Sequence, residues 1–319
     1  MYYVGIDLGG TNIAVGIVRP DGSIVAKKSA PTGAGRSEDA VIADMAAVTR
    51  ALLKEAGISM EEIRSVGLGS PGSVEPETGT VLSACNLNFT NTPLAEKLRR
   101  LLDKPVLVEN DANCAAWAEA RAGAAAGTRD SVMITLGTGV GGGIVVDGHL
   151  YHGRNNFAGE FGHAVIAADG ELCNCGRRGC FEAYSSATAL VRDTRAAAEA
   201  HRDSLLWQCA EEEGKFSGRT AFEAARRGDV VARGVVERYI RYLAVGVGNA
   251  IEIFQPDVVV IGGGVSHEGE ALFTPLIEQV KQDVYGDHVP EEKQTKILAA
   301  RLGNDAGIVG AALLGEESI

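Results

Sequence analysis

Three glycine-rich stretches, a cysteine cluster and a few acids carry the residue types that do chemistry in this chain. Asp7-Leu8-Gly9-Gly10-Thr11-Asn12 puts an acid, two glycines and a hydroxyl into one tight turn. Glycine lets backbone N–H groups approach an anion with no Cβ in the way, and successive amides form a nest for phosphate. The same residues also make an ordinary hairpin turn, and taken alone they leave both readings open. Gly137-Thr138-Gly139-Val140-Gly141-Gly142-Gly143 contains the spacing G-x-G-x-x-G. A dinucleotide fingerprint of that form needs a helix after it. Here Ile144-Val145-Val146 and an Asp147-Gly148 turn follow, which excludes the dinucleotide reading, and no G-x-x-x-x-G-K-[ST] run occurs. Gly262-Gly263-Gly264 is the third stretch, directly after the apolar run Val258-Val259-Val260-Ile261.

His163 is followed by Cys173-Asn174-Cys175-Gly176-Arg177-Arg178-Gly179-Cys180. Three thiolates and an imidazole make the closed tetrahedral set that zinc takes when its role is structural. A catalytic zinc keeps one position open for water, and four protein ligands argue against that role. Glu109-Asn110-Asp111-Ala112-Asn113 lies between a predicted strand and a predicted helix. An aspartate there serves as a helix N-cap or, facing a cleft, as the carboxylate that phosphoryl transfer to an alcohol requires beside the attacking hydroxyl. Glu160, three residues before His163, and Glu182, two after Cys180, flank the metal candidate, which would fix their positions. Solvated glutamates are the plain alternative for both.

These residues need elements to hold them. Apolar runs at 2–8 and 12–18 flank the first glycine turn and read as a hairpin, with a third strand near 23–30. Val41, Met45, Val48 and Leu52 place a helix over 38–56, stopped by Gly57. Strands follow at 64–69 and 105–109, then an alanine-rich helix over 112–122. At 131–146 the opening pattern returns: a strand over 131–136, a glycine turn and a second strand over 144–146. Val236, Ile240, Leu243, Val247, Ile251 and Phe254 mark a long helix ended by Pro256; a strand at 258–261 and a final helix over 304–315 complete the pattern. Alternating strands and helices make an α/β fold. The repeated strand–glycine turn–strand unit makes it a duplicated one, with two domains around a cleft, where ligands bind. We assign 1–118 plus 304–319 to a smaller α/β domain and 119–303 to a larger one carrying the zinc loop. Two glycine hairpins and the glycine triplet in such a fold suit a phosphate-gripping cleft of the actin and sugar-kinase type.

Composition narrows the function. The chain has 319 residues, 45% hydrophobic and 23% charged, which is the globular range. Its 41 glycines, about 13% and roughly twice ordinary usage, fall in clusters with no collagen repeat. With 30 Lys and Arg against 42 Asp and Glu the net charge is −12, which argues against nucleic acid as a partner. No run reaches the roughly 18 apolar residues of a membrane helix, so no membrane association is expected. The first residues read directly into a strand without a basic leader, so no signal peptide is expected, and the expected location is the cytoplasm. Cys85, Cys114 and Cys209 are scattered singles that read as small buried hydrophobes.

The motifs together resemble the ROK (repressor, open reading frame, kinase) family, and within it the bacterial glucokinases. The resemblance rests on residues 7–12, 109–113 and 136–143, on Gly159-Glu160-Phe161-Gly162-His163, and on Cys173-x-Cys175-Gly176-x-x-Gly179-Cys180-x-Glu182, in the family's order across essentially the whole chain. It implies an ATP-dependent sugar kinase of the actin-like ATPase fold, forming glucose 6-phosphate from glucose. Asp111 would be the general base on the sugar 6-hydroxyl, and Gly72, Asn110, Glu160, His163 and Glu182 would hold sugar hydroxyls. Gly9, Gly10, Thr11, Asn12, Gly137, Thr138, Gly139, Gly262, Gly263 and Gly264 would hold ATP, with Asp7 near its Mg2+. His163, Cys173, Cys175 and Cys180 would hold a structural Zn2+, His163 using its other ring nitrogen toward the sugar. A homodimer or homotetramer is also implied. Sugar-sensing repressors of the family carry a helix-turn-helix domain before the first glycine loop, for which a chain starting at the first strand has no room. Kinases for fructose or another hexose, N-acetylglucosamine or N-acetylmannosamine share most of these motifs. The segment Glu182-Ala183-Tyr184-Ser185-Ser186-Ala187-Thr188-Ala189-Leu190 is most similar to the glucokinase version. Against a non-catalytic sugar-binding protein stand Asp111 and both phosphate loops.

Overall fold

The computed structural model describes residues 1–33, 35–84, 87–286 and 289–317. Strand β1 (Tyr2–Leu8) turns into β2 (Asn12–Val18), β3 (Ile24–Pro31) follows, and α1 (Glu38–Ala56) leads to β4 (Ile63–Ser70). The ends of α1 are set locally: the Ser37 side chain accepts the Ala40 N–H, and Gly57 closes the helix at φ 68°. A small antiparallel sheet that the apolar pattern does not foretell comes next, formed by β5 (Ser73–Glu75), β6 (Thr80–Ala84) and β7 (Phe89–Thr92). Its strands are too short to show a period. Then come α2 (Leu94–Leu102), β8 (Val106–Asn110) and α3 (Asp111–Ala122).

The second half starts with β9 (Ser131–Leu136), β10 (Val140–Val146) and β11 (His149–Leu150). The glycine run predicts a turn as far as 143, but β10 already begins at Val140, and Gly141, Gly142 and Gly143 are extended. Helices α4 (Glu182–Ser185), α5 (Ala187–Ala200), α6 (Leu206–Glu212), α7 (Thr220–Arg226) and α8 (Val230–Phe254) follow. Helix α8 starts one and a half turns before the first residue of its apolar stripe, because Asp229 caps it by accepting the Ala232 N–H. Strand β12 (Val258–Gly262), α9 (Glu270–Asp283), β13 (Lys296–Ala299) and α10 (Ala306–Glu317) complete the chain.

The first sheet has the order β3-β2-β1-β4-β8 and the second β11-β10-β9-β12-β13. In each, a glycine-turn hairpin is extended by two parallel strands, β1 with β4 and β8 in one, β9 with β12 and β13 in the other. The duplication is therefore one of topology as well as of motif. Side chains of β1 and β4 such as Val4, Ile6, Leu8, Val66 and Leu68 are fully buried. Parallel strands covered on both faces need such runs. Cys114 and Cys209 are buried, as their isolated positions suggest, and Cys85 lies outside the described residues.

By internal contacts the chain divides into two units. One comprises Met1–Arg129, Gly143–Gly159 and Arg301–Ile319; the other comprises Asp130–Gly142 and Glu160–Ala300. These limits differ from the assigned ones by placing 119–129, 143–159 and 301–303 with the first sheet. A packing reason is visible at Gly143, where a Cβ would stand 2.5 Å from that of Ala116 on α3. A second is Glu119, buried on α3, whose carboxylate accepts the N–H groups of Arg301 and Leu302 at 2.9 and 2.8 Å and of Ala124 at 2.6 Å.

Candidate active site

In the first unit the acids lie at the carboxyl ends of adjacent parallel strands. Asp7 of β1 is in register with Gly69 of β4, which is in register with Glu109 of β8. Asn110 ends β8 and caps α3: its Oδ1 accepts the N–H groups of Ala112 and Asn113 at 2.9 and 3.1 Å. Its Nδ2 donates to the Gly72 carbonyl at 3.1 Å. The cap is thus Asn110, and Asp111 is left as an exposed residue at the first helical position, its Oδ1 accepting the Ala112 N–H at 2.8 Å. Asp7 is half-buried, and burial, then the charge of Asp111, push its carboxyl up to about 6. A cation beside the two carboxylates would offset the cost of keeping Asp7 charged there.

The first glycine turn is closed by the Gly9 N–H donating to the Asn12 carbonyl at 2.9 Å, and the Thr32 hydroxyl donates to the Gly9 carbonyl at 2.7 Å. Gly10 is half-buried, and Thr11 and Asn12 are exposed. One residue that motif reading misses is Gly307, near the start of α10. A Cβ there would stand 2.6 Å from both Cγ and Oδ2 of Asp7. No signal in the sequence near 307 announces this, since the partner is at the other end of the chain.

In the second unit the Gly137 N–H closes the other glycine turn on the Gly139 carbonyl at 3.0 Å. The loop is pinned from outside by α5, whose Ala187 N–H donates to the Gly137 carbonyl at 2.8 Å and whose Thr188 hydroxyl donates to the Thr138 carbonyl at 2.7 Å. Gly262 ends β12 in register with Thr135 of β9, and Gly263 (φ 85°) lies against Leu136. Residues 137–139 and 262–264 are therefore brought together at the carboxyl ends of two parallel strands, with Gly263 and Gly264 exposed. Ala187 and Thr188 are neighbours of this loop that spacing alone does not reveal as such.

The metal candidate is assembled in the same unit. The ligand atoms of His163, Cys173, Cys175 and Cys180 all lie within 4.8 Å of one another. Cys175 Sγ is 3.6 Å from Cys180 Sγ, and Cys173 Sγ is 4.0 Å from His163 Nδ1. A tetrahedral site with metal–sulfur bonds of about 2.3 Å separates its ligand atoms by about 3.8 Å, so the donor set fits a metal ion. The Arg177 backbone N–H and then its side chain hold the Cys175 thiol down to about 6, while burial pushes Cys173 up to about 12. Burying thiolates together is favourable only with a cation among them. Glu182 reaches both features of this unit. Its Oε2 accepts the Val140 N–H at 3.0 Å, and its Oε1 lies 3.6 Å from Cys173 Sγ. A Cβ at Gly139 would stand 2.2 Å from the same Oε2, so only glycine permits this contact. Glu160 is exposed, and His163 is half-buried in a short 3-10 turn (Phe161–His163).

The ROK family profile matches residues 3–318. The chain belongs to the ROK family. Among relatives, it is 39% identical over 317 residues to a glucokinase of Thermotoga maritima, covering 99% of this chain and 98% of that one. It is 37% identical over 315 residues to a glucokinase of Halalkalibacterium halodurans, covering 98% and 94%. Among solved structures, a ROK family glucokinase from Streptomyces griseus in complex with glucose and AMPPNP superposes with a TM-score of 0.82 at 36% identity over the full length of both chains. The two-domain actin-like ATPase fold is thereby that of this ROK protein as well. Among the described residues no helix is long and apolar enough to cross a membrane.

Proposed function

We propose that this ROK protein is an ATP- and magnesium-dependent glucokinase, which transfers the γ-phosphoryl group of ATP to the 6-hydroxyl of glucose and releases glucose 6-phosphate and ADP. The observation that carries the reading is the full-length likeness to glucokinases, one of them solved with glucose and a nucleotide. The position of Asp111 supports it. With Asn110 acting as the cap, the Asp111 carboxylate is presented at the surface of the first helical turn. There it would accept the hydroxyl proton as the sugar oxygen attacks the γ-phosphorus; the new O–P bond forms and the bond to the β-phosphate oxygen breaks.

Other roles follow from which groups are already engaged. The Gly9 and Gly137 N–H groups close their turns, so Gly10, Thr11 and Asn12 in one loop, and Thr138 and Gly139 in the other, are the candidates for phosphate, together with Gly263 and Gly264 of the second unit. Asp7 would hold Mg2+, which when bound neutralises phosphate charge. His163, Cys173, Cys175 and Cys180 would hold a structural zinc, which clamps their loop. His163 Nδ1 faces Cys173, which leaves Nε2 for a sugar hydroxyl; Gly72, Asn110, Glu160 and Glu182 would be the further groups for sugar hydroxyls. A reducing cytoplasm, in which clustered thiols persist, and a homodimer or homotetramer complete the proposal.

The test is a panel of free sugars with ATP in a coupled assay. A pocket built for the hydroxyl at C2 rejects a replacement that leaves its polar groups unpaired and needs extra volume. The kcat/KM for glucose should exceed that for N-acetylglucosamine and N-acetylmannosamine by more than about tenfold, or 1.4 kcal/mol. An N-acetylated sugar that proves the better substrate overturns the glucose assignment and leaves the kinase. Failure of every sugar to consume ATP overturns both.

A further inference from the structure

Glu109 and His152 are joined in a contact that none of the roles above uses. Glu109 is only 3% exposed. Its Oε1 accepts the Asn110 N–H at 2.8 Å and the Asn113 Nδ2 at 2.9 Å, and its Oε2 lies 2.6 Å from His152 Nε2. A carboxylate only accepts hydrogen bonds, so the tautomer with its proton on Nε2 is the one this contact selects. Two of the three donors to Glu109 belong to the turn that carries Asp111, and the third arrives from a segment 43 residues away.

We propose that His152 is a positioning residue for Asp111. Its imidazole fixes the orientation of the buried Glu109 carboxylate, and Glu109 fixes the Asn110–Asn113 turn from beneath. Asn110 is held at the same time from above, through its bond to the Gly72 carbonyl and through the cap it makes on α3. Without the imidazole, one oxygen of a buried carboxylate loses its partner, and the carboxylate gains by rotating away from the turn to find another. Asp111 is adjacent to the residue so released. The main chain of His152 has its own anchor, since its carbonyl accepts the Ala158 N–H at 3.0 Å, so a side-chain substitution leaves the segment in place.

The inference rests on the reading of Asp111 as the base, and the experiment separates the two. His152→Leu removes the donor, and His152→Gln restores an N–H donor of similar reach. Rates are measured on whichever sugar the wild type turns over best, and amide exchange is followed at Asn110–Asn113. His152→Leu should lower kcat by about 10–100-fold, the scale of losses when a group orienting a functional residue is removed. The KM for the sugar should change less than about threefold, and exchange at the Asn110 amide should rise about tenfold, a scale set by one lost hydrogen bond of about 1.4 kcal/mol. His152→Gln should recover most of kcat. In a Glu109→Gln background, His152→Leu should add little, because the two act as one unit. A kcat for His152→Leu within twofold of wild type overturns the inference whatever the exchange does, and so do fully multiplicative effects of the two substitutions. A wild type inactive on every sugar counts against the kinase reading instead; exchange then decides whether His152 orders the turn.

Discussion

Gly307→Ala sets helix propensity against site geometry and gives them opposite signs. In the first turn of α10 alanine is the better residue, by about 1 kcal/mol, so local structure favours the substitution. The new Cβ, however, would stand 2.6 Å from Cγ and Oδ2 of Asp7 and 3.1 Å from Oδ1. Carbon atoms rest at about 3.5 Å or more, so the carboxylate has to retreat by about 0.9 Å. Aspartate is short, and its retreat changes χ1 or moves β1, which is fully buried around it at Ile6 and Leu8. A misplacement of about 1 Å in a reacting site costs on the order of 10²-fold in rate. We therefore expect kcat/KM for MgATP to fall about 30–100-fold, with a raised requirement for free Mg2+ and the sugar KM nearly unchanged. The apo melting temperature should stay within a few degrees of wild type, roughly what 1 kcal/mol produces in a chain of this size. The assay is a coupled ADP measurement across Mg2+ concentrations, with thermal unfolding in parallel. Activity within threefold of wild type across that range would refute the assignment of Asp7 to the metal-nucleotide site.

Asp111→Asn is nearly isosteric and should preserve folding and sugar binding while lowering kcat by roughly 10²–10⁴; a variant with a tenth of wild-type kcat sinks Asp111 as the base. Protein purified without added metal should contain one zinc per chain, and Cys175→Ser should lose metal and sugar phosphorylation together. Less than about a tenth of an equivalent of zinc in fully active protein, measured by elemental analysis, contradicts the site. Asp7→Asn should unfold at higher urea than wild type at pH 7.5 but not at pH 4. The folded-state carboxyl sits at about 6 against 3.8 for the unfolded group, so folding loses stability as pH rises from about 4 to 6 and is penalised by up to about 3 kcal/mol above that. A urea midpoint difference that is the same at both pH values would rule out burial of the Asp7 charge as its source.

Much of this molecule is legible from neighbouring residues alone. The β1–β2 and β9–β10 hairpins, the parallel strands and the cysteine cluster follow from side-chain period, glycine turns and ligand spacing, all of which act within about twenty residues of chain. The reach of β10 back to Val140 is different, because glycines are as compatible with extended backbone as with a turn, and strand pairing decides between them. The membership of 143–159 in the first unit likewise depends on what α3 packs against, not on the segment itself.

The site divides in the same way. Asp111, His163 and the three cysteines announce themselves by type and spacing. That Asn110 and not Asp111 caps α3, that the Gly9 and Gly137 N–H groups are already spent on closing their turns, and that Glu182 binds the Val140 N–H are choices among competing partners. A hydrogen bond goes to whichever acceptor the fold brings within reach, and no single sequence position encodes that. Gly307 beneath Asp7, and His152 on Glu109, are the extreme cases, joined across 300 and 43 residues of chain. Sequence fixes which groups are available; their close approach is a property of pairs, and pairs exist only once the chain has folded.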